Sequence, residues 1–552
     1  MHVRWARIYS MLARLSSLFV NTQSGNPPRR WIALACLAVL LCIGALSVRD
    51  YGIPYDEGIM DALGRDTYNY VFADAPWPEN DDWRYHGPLV EFATYTMQKM
   101  TVSFEFEYNY QRILIRRLVC FAFFASGVVL LYALAKRHFA DWRWALLTAA
   151  LLVLTPRFFA HGFYNSRDIP QLALFLAGIF TLLRFLERRT WWSALLHGSV
   201  AALALSVRMT ALLIPAFTIL FLAIDLLHNR CTWKDRLPRS AGLLALFFIT
   251  LAAVTFASWP FLWESPIRHF IEAYQHMSSL ATGSTNFLGR TYTRFPWHYI
   301  PVWIAITVPV VYSVFFLVGV SVLPWLVIKD VRTWSMQTRD RVLFLLWFFL
   351  PIFSIMATGA GIYTEWRHIY FVYPAFLLIA VSGMRWLVHV LASREGYLGK
   401  FGPLVVAGFM AAQMLGTGIW MVRNHPFENV YFSRFMPVST AQRYFDPDYW
   451  ALSYKQSIEW ILGNESRFII VVFSDENIAM VNAYNLFPIT LERIIRTDDK
   501  ESAQYVLTRS RDIAGDLPLL YESIVDGVRI NGVYRGKSFA RTYTEEDVAG
   551  GE

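Results

Sequence analysis

The sequence predicts a mainly α-helical protein that crosses a membrane about eleven times and ends in a small α/β domain. Three observations carry this. The 552 residues are 55% hydrophobic and only 17% charged, and the apolar excess runs along most of the chain rather than in one block. Apolar stretches recur at spanning length, near the ~20 residues a helix needs to cross the hydrocarbon core. Basic clusters fall between alternate stretches, as the positive-inside bias places them. The net charge of +8 therefore reads as loops on one side of a bilayer, and no nucleic-acid partner is expected. Aromatic residues make up 16% of the chain, with many Trp and Tyr at the ends of apolar runs, where an interfacial belt sits.

The spans can be taken in order. The first runs from Trp31 to Val48, behind a basic N-terminus (Arg4, Arg7, Arg14, Arg29, Arg30). It lacks a small-residue cleavage site and so reads as a retained span. Then come Ile113–Ala135, Trp144–Phe159 and Ile169–Phe185. Ser193 to Leu227 is too long for one span and is broken at SVRMT, so it counts as two. Ala241–Ala257, Val302–Ile328, Val342–Met356, Ile369–Val388 and Leu404–Met421 complete the set. With the N-terminus inside, KRHFADWR, LERR, HNRCTWKDRLPR, KDVRTWSMQTRDR and SREGYLGK all fall on the cytoplasmic side. An odd number of spans puts the tail outside. The expected organisation is a transmembrane domain over 1–422 and an extracytoplasmic α/β domain over 423–552.

The outer loops carry the informative charge. Arg49 to Gln111 is too long for a simple connector. EGIMDALGRDTYNYV and HGPLVEFATYTMQKM within it read as two amphipathic helices that fit best flat on the membrane, with a packed cap as the alternative. Asp56 and Glu57 stand side by side where this loop leaves the first span. TPRFFAHGFYNSRDIPQ reads as a short second outer loop that brings Asp168 to the start of the fourth span; Asn165 or Ser166 is its candidate helix cap. Arg112, Arg116 and Arg117 gather at the outer mouth of the second span, Arg208 at the break in SVRMT, and Arg367 with His368 at the start of the tenth. Arginines on the disfavoured side need an acidic partner or an anionic ligand. Ser258 to Tyr299 holds one amphipathic helix and a Gly/Ser/Thr-rich segment suited to a mobile cover. His269, His276 and His298 there lack metal-ligand spacing. Beyond Met421, SRFIIVVFS and SAQYVLTRS read as strands, DENIAMVNAYN as a helix, and LLYESIVDGVRINGVYRG as paired strands around a turn.

These pieces resemble the GT-C membrane glycosyltransferases, in the branch of the protein O-mannosyltransferases and the lipid A aminoarabinose transferases. The resemblance rests on the Asp-Glu pair, the long first outer loop and the second acidic site. It also rests on the ordered set IRRLVC, HGFYNSRDIP, SWPFLWESP, FPWHYIPVW, RHIYFVYP, HPFENVYF and DYWALSYKQSIEWI. It implies transfer of a sugar from a polyprenyl-phosphate donor to a protein or glycolipid acceptor on the outer face of the membrane, with inversion at the anomeric carbon. A bacterial inner membrane is the expected location. Carried over residue by residue, Asp56 and Glu57 match the acidic pair, Asp168 the second acidic site, and Arg117, Arg208 and Arg367 basic residues near the donor phosphate; His368 adjoins the last. The NSRD form of the second site differs from the forms usual in the two branches, which leaves the acceptor type open. Asp56 is the first candidate for general base, with Asp168 orienting the acceptor or sharing the role, since a carboxylate on the acceptor proton raises rate by roughly 10²–10⁴. Paired acids could also hold a divalent metal, the one candidate cofactor, although no spacing demands it. The rival reading is a transporter or flippase for a lipid-linked sugar, but no internal repeat is evident and the charges gather on one face rather than at the midplane.

Overall fold

The computed structural model describes residues 30–78, 82–101, 109–228, 233–278, 285–293, 295–358, 365–487 and 490–543. The basic segment before Arg30, Cys231 and most of the Gly/Ser/Thr-rich stretch (279–284) lie outside the described residues.

The chain opens with α1 (Arg30–Ser47), followed by the loop helices α2 (Glu57–Phe72) and α3 (Leu89–Thr101). The bundle continues with α4 (Asn109–Phe139), α5 (Trp142–Val153), α6 (Pro156–Tyr164), α7 (Asp168–Arg188), α8 (Trp191–Leu205), α9 (Leu213–His228) and α10 (Trp233–Ser258). After α11 (Pro266–Ser278) and a two-stranded hairpin, β1 (Thr285–Phe287) with β2 (Arg290–Tyr292), come α12 (Tyr299–Thr307), α13 (Val310–Asp330), α14 (Met336–Thr358), α15 (Tyr373–Ala392) and α16 (Gly396–Asn424). Local chemistry sets the ends. Asp141 accepts from the Arg143 N–H at the start of α5, and Thr190 with Ser193 forms a reciprocal capping box on α8.

Among the described residues eight helices are long and apolar enough to cross a membrane, or nine if α5 and α6 form one broken span. The expected count of eleven is not confirmed by this measure. α1 and α8 are apolar but short, and the third predicted span is bent by 67° at Leu154–Thr155. Pro156, in the first turn of α6, accounts for the break. Consequently PRFFAHGFY, read as loop, is a buried helix. The Val302–Ile328 run is likewise interrupted at Val308–Pro309, which separates α12 from α13. The two loop helices pack on each other and on the bundle, with Met60, Leu63, Gly64 and Thr67 of α2 buried with Val90, Thr94 and Tyr95 of α3. Two-glycine contact brings α13 and α15 together: a Cβ on Gly319 would lie 2.2 Å from the Ile379 carbonyl oxygen, and one on Gly383 2.4 Å from Gly319 N.

The C-terminal unit begins with α17 (Tyr454–Asn464), then β3 (Ile470–Ser474), α18 (Ile478–Leu486), β4 (Ile494–Thr497), β5 (Tyr505–Thr508), β6 (Leu519–Val525) and β7 (Val528–Arg535). The sheet order is β4-β3-β5-β7-β6, with β3 parallel to β4 and β5, and the β6–β7 hairpin antiparallel. Asp526 and Gly527 both have positive φ (48° and 75°), as a two-residue hairpin turn of matching twist requires. Of these elements, the sequence reading omitted helix α17 and strand β4. The core of this unit includes Ile53 and Ile113 from the other end of the chain, so it is packed into the bundle rather than tethered to it.

Candidate active site

The site forms where four distant stretches meet at the end of the bundle that carries the C-terminal unit. The first leaves α1. Tyr51 is buried, stacks on Phe163 at 4.8 Å and donates its hydroxyl to Glu428 at 2.9 Å. Asp56 then occupies the N-cap position of α2 without capping through its side chain, which leaves the carboxylate to face elsewhere while the positive end of the helix favours its charge.

The second stretch is the turn between α6 and α7. Asn165 closes it: Oδ1 accepts from the Asp168 N–H at 2.9 Å, and Nδ2 donates to Asp168 Oδ2 at 2.8 Å. This fixes the carboxylate at the start of α7, where it is almost fully buried. The third and fourth supply the counter-charges. Arg208 pairs with Asp168 at 2.5 Å, and Arg367 reaches both Asp56 (3.1 Å) and Asp168 (3.6 Å). Arg367 also lies 4.8 Å over the Trp450 ring, which adds cation–π attraction on its apolar face. Asp56, Glu57, Met60, Tyr164, Asn165, Ser166, Arg167, Arg367 and Trp450 line the resulting pocket, whose volume is ≈ 10 Å³, about that of one water. The two carboxylates differ in access. The Asp56 side chain is 38% exposed and that of Asp168 1%.

A second layer of charge supports the first. Arg116 holds Glu57 at 2.5 Å and Glu91 at 2.7 Å, with Asp61 3.8 Å away, and Arg112 takes Asp61 at 2.9 Å. Burial pushes the Glu91 carboxyl up from the usual carboxylate range against the pull of Arg116, and Ser166 donates to it at 2.5 Å. His368 lies within electrostatic range of Arg208, Arg367, Arg167 and His86. Burial, then Arg167 and Arg208, press the His86 imidazole well below its usual value, so it sits neutral among cations.

Of the residues singled out from sequence, the structure brings together Asp56, Glu57, Asp168, Arg208 and Arg367, with His368 beside them. It does not bring Arg117 there. That guanidinium donates to the carbonyls of Val48, Tyr51 and Gly52 and so holds the exit of α1. Arg112, Arg116, Arg208 and Arg367 each find the acidic partner that arginines at span mouths need. At the second acidic site Asn165 binds Asp168 through its side chain, while Arg167 holds the N-cap position of α7. His269 donates from Nδ1 to the Phe261 carbonyl at 2.6 Å and stacks on the ring of the same residue.

Sequence reasoning missed Trp450, Arg167 and the Glu91–Arg116 pair. It also missed the His425 node, where Nδ1 meets Glu428 at 2.7 Å and Nε2 meets Asp50 at 2.9 Å. Burial opposes that charge, but Glu428 and then Asp50 outweigh it and raise the imidazole to about 9. HPFENVYF and DYWALSYKQSIEWI were the available signals, since they hold His425, Glu428 and Trp450. Among the described residues no group of three or more His, Cys, Asp or Glu side chains is arranged to hold a metal ion, and Asp56 and Asp168 both already face guanidinium groups.

Residues 111–255 match the family described as dolichyl-phosphate-mannose-protein mannosyltransferase, which agrees with the resemblance to GT-C glycosyltransferases. No curated protein matches the chain. Solved structures with a loosely similar course include ArnT from Cupriavidus metallidurans bound to undecaprenyl phosphate, at 13% identity and TM-score 0.46, over 92% of this chain and 98% of that one. The same protein in its apo state gives 13% and 0.48 over 94% and 100%. An oligosaccharyltransferase from Archaeoglobus fulgidus, in complex with Zn and sulfate, gives 11% and 0.42 over 86% and 67%.

Proposed function

We propose that this protein is a membrane glycosyltransferase that moves a sugar from a polyprenyl-phosphate donor to an acceptor hydroxyl, on the outer face of a bacterial inner membrane and with inversion. The observation that carries the proposal is the shared arginine. Arg367 joins a reachable carboxylate, Asp56, to a buried one, Asp168, with Arg208 alongside. The family match over 111–255 supports a lipid-phosphate-linked donor.

Each group then has a step. The acceptor oxygen attacks the anomeric carbon on the face opposite the phosphate, and its proton passes to Asp56. The carbon–oxygen bond to the phosphate breaks, and the electron pair leaves with the phosphate. That group departs already ionised, so it needs cations rather than a general acid. Arg367 and Arg208 provide them, and a guanidinium fork matches phosphate in two-pronged geometry. An arriving phosphate also competes with Asp56 for Arg367 and thereby uncovers the base. Asp168, too buried to reach an acceptor, anchors both arginines. Glu57, held by Arg116, orients the start of α2. Prenyl chains stay in lipid, which suits a site at the ends of apolar helices. No metal is required by this scheme.

The test uses purified wild-type protein and Asp56→Asn with a panel of polyprenyl-phosphate sugars and envelope acceptors. Release of free polyprenyl phosphate is followed together with sugar transfer. Turnover with one donor, reduced at least about a hundredfold in the variant, is the expected result. If no donor turns over while labelled donor crosses vesicle membranes at equal rates in both proteins, the chain is a lipid-linked sugar transporter instead.

A further inference from the structure

The segment that ends in Asp56 is gripped by the C-terminal unit. Ile53 is anchored through both backbone groups: its N–H donates to Asn482 Oδ1 at 2.8 Å, and its carbonyl accepts from Asn482 Nδ2 at 3.2 Å. Asn482 is fully buried on α18 and donates also to the Ile478 carbonyl at 2.9 Å, which leaves the amide one orientation that satisfies all three partners. The Ile53 side chain sits in the same apolar cluster as Ile458, Ile470 and Ile478. Pro54 follows with its φ fixed by the ring. Tyr55 donates to Glu476 at 2.5 Å, and Arg509 clamps Glu476 to Asp446. On the near side, Gly52 lies so close to residue 452 that a Cβ would stand 2.2 Å from the Leu452 carbonyl oxygen. Gly52, Ile53 and Tyr55, just before the carboxylate, are thus each held by the C-terminal unit or by the segment leading into it, and that leading segment also supplies Trp450 beneath Arg367.

We propose that the C-terminal α/β unit is the template that sets the position of Asp56, with Asn482 and Glu476 as its positioning residues. This rests on the transferase reading above. A unit that merely docks on the bundle needs no contact at this segment. Here directional hydrogen bonds, buried at residue 53 and exposed at residue 55, converge within three positions of the reactive carboxylate. Neither Asn482 nor Glu476 lines the pocket, so both act through the backbone that carries Asp56. Displacement of a reacting group by about 1 Å can cost on the order of a hundredfold in rate, which makes such a template consequential.

The experiment compares full-length Asn482→Ala, Tyr55→Phe and Glu476→Gln with wild type. Two quantities are read: hydrogen exchange of backbone 52–56 by mass spectrometry, and kcat with donor KM. In Asn482→Ala and Tyr55→Phe exchange is expected to quicken and kcat to fall about 10- to 100-fold, with donor KM within about twofold. Glu476→Gln leaves one acceptor oxygen where Tyr55 and Arg509 now share two, and is expected to fall between wild type and Tyr55→Phe in both quantities. Should Asn482→Ala fail to fold, Tyr55→Phe, which loses only one hydroxyl at the exposed edge, gives the same reading. Faster exchange with unchanged kcat overturns the proposal, as does unchanged exchange in both variants. If wild-type protein turns over no donor, the transferase reading fails by itself, and the exchange measurement still decides whether the unit holds the Asp56 segment.

Discussion

Arg116→Met is the sharpest test of the charge arrangement beneath the site. Arg116 is 5% exposed and lies between Glu57, Glu91 and, at longer range, Asp61. Methionine keeps much of the volume and removes the only guanidinium that touches both Glu57 and Glu91 among the described residues. Removing one partner of a buried pair costs about 3–5 kcal/mol, because the other charge stays desolvated. Unfolding entropy of ~2.1 cal/mol/K per residue over 552 residues converts this to a drop of about 3–4 °C if the chain melts as one, and more if only this end does. Tryptophan fluorescence during heating in mild detergent measures it. The pH dependence identifies the stranded group. Glu91 is pushed up by burial, so its neutral form is the one the fold favours. Stability from that form is complete below the ordinary carboxylate range and lost as pH rises through the folded value. Without Arg116 to pull the other way, the loss deepens. The deficit of Arg116→Met should therefore shrink as pH falls toward about 4.5, and adding Glu91→Gln should restore part of it at neutral pH. A variant within about 0.5 kcal/mol of wild type at pH 7, or a deficit that is flat with pH, would refute the reasoning.

Two further outcomes are expected. Arg367→Lys keeps the charge but loses the fork that spans Asp56 and Asp168 and the flat face on Trp450. Donor KM should rise about tenfold, since guanidinium and ammonium are not equivalent at such sites, and an unchanged KM would place the phosphate elsewhere. His425, raised to about 9, adds stability that is complete below its ordinary value near 6.5 and is lost as pH climbs through 9. Melting temperature should fall between pH 6.5 and 9.5 in wild type and be flatter in His425→Gln; parallel curves would sink the assignment of charge to this node.

Sequence patterning was most legible where one physical cue acts alone. Apolar length located the long helices, and turn residues within LLYESIVDGVRINGVYRG located the β6–β7 pair, although VDG and ING were equal candidates for the turn and the structure uses VDG. It failed where two cues compete. PRFFAHGFY carries enough polar residues to read as loop, yet all nine of its residues are buried in α6, because Arg157 is taken up by Glu365 and the Tyr431 carbonyl. At the site, acids and arginines at the ends of apolar runs were visible as candidates one by one. Their pairing was not, because it depends on the third dimension: Arg117 and Arg116 are neighbours in sequence, yet one serves three carbonyls and the other two carboxylates. Trp450 gave no signal of its own, being one aromatic among many in a membrane protein.

Trp450 has a consequence for the order of events during synthesis. Asp56, Asp168 and Arg367 emerge from the ribosome one after another, while the ring beneath Arg367 and the amide that fixes Ile53 lie at positions 450 and 482. Domains generally fold as units as the chain is made, so most of the bundle can be inserted well before those positions exist. A nascent or C-terminally truncated chain would therefore possess the acids and arginines without their final arrangement. Completion of the last hundred residues is what turns an inserted bundle into a finished site.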